Sequence, residues 1–125
     1  MPDLLETGAS WLAGQFKAHA SRDVTYQRGV QQVVAKATVG RTEFEQADES
    51  GIVTSHQSRD YLIHAADLVL GGSPTLPEPG DRVVEVVGSK TYTHEVMAIP
   101  SGEHYRFSDP YRVLLRIHTK LVAVT

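Results

Sequence analysis

From Asp23 onward the chain alternates apolar and polar positions with a period of two, the pattern of strands with one covered face. Val24 and Tyr26 share one side of a first strand, Arg28-Gly29 supplies a turn, and residues 33–39 return as a second strand. Gly40-Arg41 interrupts the pattern before residues 42–45 extend it. Residues 46–58 are acidic or small, with Ile52 and Val53 as their only large apolar side chains, and this predicts a mobile loop. Residues 59–65 read as a strand with Tyr61 and Ile63 on one face and Leu62 and His64 on the other, both partly covered. A helical turn at 66–68 and a proline- and glycine-rich connection at 71–80 follow.

The best-organised stretch is PGDRVVEVVGSKTYTHEV, residues 79–96, which reads as a hairpin turning at Gly88-Ser89-Lys90 and running on to Ile99. Residues 104–107 and 111–122 are two more strands, separated by a break at Pro110. In the last, Val113, Leu115, Ile117, Thr119 and Leu121 form a core face. Arg112, Arg116, His118 and Lys120, with Leu114 among them, form a basic stripe, either a solvated face or a contact surface for an acidic partner or DNA.

Ahead of the strands, residues 3–20 carry the helical period. Asp3 can cap, Glu6 stands three positions on, and Leu5, Ala9, Leu12 and Phe16 make a stripe that Leu4 and Trp11 widen. That stripe packs either on the domain's own core or on a neighbouring subunit, with Trp11 as anchor. The predicted fold is mainly β: one domain over 1–125, a small antiparallel barrel or closed sandwich of about seven strands that hides its edges, with one N-terminal helix.

Composition narrows the function. With 12 basic against 15 acidic residues and a net charge of −3, gripping a phosphate backbone is not the expected task. The absence of cysteine excludes disulfides, thiolate zinc sites and cysteine nucleophiles. The start lacks the basic and apolar runs of a signal peptide, and no stretch approaches the roughly 20 apolar residues of a membrane span, so a protein soluble where it is made is expected. Six histidines (His19, His56, His64, His94, His104 and His118) are scattered singly, without HxH or HExxH spacing, so no metal or other cofactor is expected. No GxSxG nucleophile turn or P-loop occurs, and no enzymatic activity is expected. Tyr105, Phe107 and Tyr111 between Arg106 and Arg112 imitate a base-stacking platform, yet Tyr105 and Phe107 share a strand face as core residues do.

The order of helix, first hairpin, long loop, RDYLIHAADL strand, proline-rich link and hairpin resembles the head-tail joining proteins of long-tailed bacteriophages, the lambda-type attachment or stopper family. Pro77, Gly80, Asp81, Arg82, Val83, Gly88, Tyr92 and Val96 carry the most diagnostic run, which neighbouring tail-completion proteins share. The resemblance implies a virion protein of the neck, in the host cytoplasm during assembly, that forms a homo-oligomeric ring, hexameric or dodecameric. A portal or adaptor protein would lie on its head side and a tail terminator or tail tube protein on its tail side. Packaged DNA would pass through without sequence-specific binding, and no membrane is involved. It also makes Glu45, Asp48, Glu49, Ser50, Gly51 and His56 candidate channel or gating residues. Leu4, Trp11, Arg112, Arg116 and Lys120 are candidate subunit contacts. Alternatives are a tail-completion or tail-terminator ring protein, a nucleic-acid-binding barrel, or a small enzyme or ligand-binding barrel using the histidines.

Overall fold

The strands are β1 (Arg22–Arg28), β2 (Gln31–Ala47), β3 (Val53–His64), β4 (Val69–Leu70), β5 (Ser73–Pro74), β6 (Arg82–Val87), β7 (Lys90–Val96), β8 (Tyr105–Phe107) and β9 (Leu114–Val124), with a 3-10 turn at Ala65–Asp67. The protein is seen in a computed structural model that describes Thr7 and residues 21–100 and 102–125. The helix expected over 3–20, with Leu4 and Trp11, lies, apart from Thr7, outside the described residues.

Seven strands form one antiparallel sheet in the order β3-β2-β1-β6-β7-β9-β8, and β3 pairs with β9 as well. The pairing therefore runs from β3 through β2, β1, β6, β7 and β9 back to β3, a closed circuit with β8 added beside β9. The small β4–β5 ladder stands apart. Closure satisfies backbone groups that an open sheet would leave at its edges.

Inward positions follow the sequence period. Val24 and Tyr26 from β1, Ala35 and Ala37 from β2, Tyr61 and Ile63 from β3, Val83 from β6, Val96 from β7, and Leu115 and Ile117 from β9 are buried, joined by Leu68 and Leu70. Burying each of the larger of these side chains is worth about 1.5–3 kcal/mol. Tyr105 and Phe107 pack against this core. They are core-facing side chains, as their shared parity predicts, and not a stacking platform.

Two hairpins turn in two residues, Arg28 opposite Gln31 and Val87 opposite Lys90. Gly29 (φ 59°) and Gly88 (φ 62°) take the first central position, where a hairpin turn matching strand twist needs a positive φ.

Three sequence expectations need correction. Residues 46–58 are not a long loop: β2 and β3 stay paired as far as Ala47 opposite Val53, and only 48–52 turn. The Asp48 carboxylate accepts from the Ser50 and Ile52 amides (2.9 and 3.0 Å) and the Ser50 hydroxyl (2.6 Å), and Gly51 takes φ 85°. Alternation is invisible there because both faces of this ribbon are polar. Gly40 likewise does not break β2; it pairs opposite Asp60. Lastly, β9 begins at Leu114, because Asp109 accepts from the Tyr111, Val113 and Leu114 amides in a turn where Arg112 has φ 60°.

Candidate functional site

Three carboxylates on strands or their ends are buried, and each is built into a cluster of donors. Asp60 on β3 is 0% exposed. It accepts from Arg116 (2.7 Å), Thr42 (2.5 Å), Ser58 (2.6 Å) and His118 Nδ1 (2.8 Å). Burial alone would raise this carboxyl, but the bonds from His118, Ser58, Thr42 and Arg116 outweigh it and hold it well below the usual carboxylate range. Arg116 reaches Asp60 across Gly40, where an added Cβ would stand 3.3 Å from its guanidinium. A side chain at position 40 would press on Arg116 and equally on Leu62 Cδ1, also 3.3 Å away.

The outward basic stripe expected on β9 is therefore not formed. Arg116 is bonded to Asp60, His118 is buried on the same carboxylate, and Arg112 lies before the strand with its guanidinium 5.7 Å from the centre of the Phe107 ring. Of the expected stripe, Lys120 is the exposed cation left on β9 itself. Ser58, His118 and Asp60 are the residue types of a hydrolytic triad, but Ser58 donates its proton to the carboxylate and all three are buried, so the cluster is a clamp joining β2, β3 and β9.

A second cluster sits inside one end of the closed sheet. Glu85, 1% exposed, accepts from Arg22 (2.7 Å), Arg59 (2.8 Å) and the Tyr61 hydroxyl (3.0 Å). Because Tyr61 gives its proton to Glu85, its oxygen accepts from Arg59 Nε (2.9 Å) and from His94 Nδ1 (3.0 Å), which fixes the histidine's hydrogen on Nδ1. Burial would raise Glu85, yet Arg59, Arg22 and Tyr61 hold it below its ordinary value. Burial, with Glu85 beside it, pushes the Tyr61 hydroxyl up to about 12 against the pull of Arg59. Burial lowers His94, and Arg59 adds to this. His94 is thus a hydrogen-bonded interior residue.

At the far end of β1, Asp81 accepts from the Tyr26 hydroxyl, from Arg28 Nε (3.0 Å) and Nη2 (2.7 Å), and from the Glu78 amide (2.9 Å). This ties the proline-rich link to the sheet.

Above the Glu85 cluster the sheet opens into a depression of about 640 Å³, whose lining includes Val39, Arg41, Arg59, His94, Lys120 and Leu121. A smaller one of about 340 Å³ shares Arg59, His94 and Leu121 and reaches Arg22 and Glu85. Leu121 continues the inward face of β9 past the end of the core, and so the sequence places it on a core face although it is half exposed here.

From beside this mouth projects an arm, the continuation of β2 and β3 over 42–58. β1 pairs with β2 only as far as Ala37, and β9 with β3 only from Arg59, so the arm is two-stranded. It carries all six expected channel residues: Glu45 and His56 on its stem, and Asp48, Glu49, Ser50 and Gly51 in its turn. Phe44 stacks on His56 with ring centres 5.8 Å apart. The Ser50 hydroxyl, with neighbouring amides, lowers Asp48 below its ordinary value, so the tip stays ionised.

Asp60 and Glu85 are organising residues that sequence patterning does not pick out, and for Tyr61 and Asp81, which it does, it does not give their polar partners. For Glu85 a signal exists: it shares strand parity with Val83 in VVEVV, an acid on a core face. For Asp60 the partners Arg116 and His118 lie 56 and 58 positions away.

Among the described residues no three His, Asp or Glu converge in a way that could hold a metal ion, and no helix is long and apolar enough to cross a membrane. The geometry defines a small, mainly β protein whose buried carboxylates are committed to fastening strands, and whose distinctive surfaces among the described residues are a basic mouth and an acidic arm. A profile of the phage head-tail joining protein matches residues 2–125, and the chain belongs to that family. It is thereby a structural component of the joint between phage head and tail. No individually curated protein matches the chain.

Proposed function

We propose that the chain is one subunit of a homo-oligomeric ring in the phage neck, which helps retain packaged DNA and offers one face to a portal or adaptor protein and the other to a tail terminator or tail tube protein. The observation that carries this reading is the family match over nearly the whole chain. The fold supports it physically. A ring needs two different complementary surfaces on each subunit, held on a frame that does not deform. The closed sheet with its three buried ionic clusters is such a frame, and the arm and the mouth are two unlike surfaces on it.

The arm supports a position between adjoining subunits at the rim of the bore. The carboxylates of its stem, Glu43 and Glu45, repel DNA phosphates there and leave the duplex free to slide. A reconstruction of the particle neck, with antibody or tag density to identify the chain, tests the proposal. Repeated copies of the closed sheet around the head-tail axis are expected; density confined to the capsid shell or the tail tip would overturn it.

A further inference from the structure

We infer that the acidic tip of each arm seats in the basic mouth of an adjoining copy of the chain, linking ring subunits arm to mouth; this rests on the ring reading above. The arm over 42–58 contains Glu43, Glu45, Asp48 and Glu49 and no lysine or arginine. Six residue pairs, from Thr42 opposite Ser58 to Ala47 opposite Val53, make it about 20 Å long; one side of its stem, through Phe44, Gln46 and His56, borders residues 97–100 and Lys120 across a shallow depression, and the turn lies beyond that. At that tip Ile52 and Val53 are 61% and 58% exposed.

The mouth is the complement in charge and in polarity. Arg41, Arg59 and Lys120 line it with no carboxylate among the lining side chains, and Val39 and Leu121 give it an apolar wall. Glu85 answers Arg59 from beneath. Arg41 has only a loose approach to Glu43, at 4.0 Å, with both side chains largely exposed. Arg41 and Lys120 are thus the cations that an incoming acidic tip would meet.

The tip cannot seat in its own mouth. Gln57 and Ser58 at the base of the ribbon line that mouth, and the turn at 48–52 is at the ribbon's other end. Two complementary patches separated on one chain make a head-to-tail contact, which closes into a ring when the rotation between copies permits. Carboxylates and cations in such a contact steer association and set its register, and their effect weakens as salt rises.

The test uses the full chain, which has no native cysteine. A variant with Glu49→Cys and Leu121→Cys is assembled into particles by complementation and oxidised. Disulfide ladders beyond the dimer are expected from the double variant and not from either single one. Native mass measurement of the neck complex separates the two readings: a ring without a ladder overturns the arm-to-mouth contact alone, whereas a chain that is monomeric in particles overturns the ring as well. As a second readout, Glu49→Lys and Lys120→Glu, each confirmed folded by its melting curve, should weaken subunit association about fivefold or more, and their combination should restore it to within about twofold. Failure of the swap to restore association, or a mouth in the assembled neck occupied by DNA or by another protein, contradicts the inference.

Discussion

Asp60 has no exposed surface, and four side chains donate to it, so its charge is worth more to the folded protein than its size suggests. Asp60→Asn keeps the shape but leaves the Arg116 charge without its carboxylate, and should destabilise the protein by about 3 kcal/mol in urea unfolding. The pH dependence follows from direction. Asp60, Asp81 and Glu85 are all held below their ordinary values by the bonds they accept, so each contributes stability that is present above the unfolded carboxylate range, near about pH 4, and is lost as pH falls below it. His94 is lowered too, and its contribution is present above its unfolded value of about 6.5 and declines as pH falls below that. Tyr61 runs the other way: raised to about 12, it supports folding below its unfolded value near 10 and withdraws that support as pH rises through 12. Melting curves across the pH range should therefore fall away at both ends. A flat profile from acid to neutral pH would contradict the clusters.

At the scale of elements, the hairpins and the arm behave differently. Gly88 has φ 62°, and a Cβ added there would meet nothing within 4 Å, so Gly88→Ala meets only backbone strain and should cost about 1 kcal/mol, measurable by chemical denaturation. The arm's outer edges pair with no other described strand. Amide exchange in the isolated chain should therefore be faster at Glu43 and Glu45 than at Tyr61 and Ile63 of the closed sheet, and equal protection would contradict a free arm. These elements also show what a sequence reveals. The hairpin at Gly88 and the core parity of Tyr61, Ile63, Leu115 and Ile117 are legible, because turn chemistry and alternation are local. Residues 46–58 read as a loop because a ribbon polar on both faces has no alternation to detect. Arg116 and His118 read as solvated because the acid that binds them on that face is reached only once β3 pairs with β9.

For the whole molecule, the closed sheet, the three ionic clusters and the family match support a frame that works by joining larger bodies. Charge is unevenly spread, with four carboxylates and no lysine or arginine on the arm and Arg41 and Lys120 exposed at the mouth, which suits self-association better than capture of nucleic acid. The central claim is that this chain joins phage heads to tails, and extract complementation tests it most directly. Cells producing the phage without this chain should accumulate filled or emptying heads and separate tails, and adding the purified full-length chain should join them and restore infectivity. Complete, tailed and infectious particles formed in its absence would contradict the account.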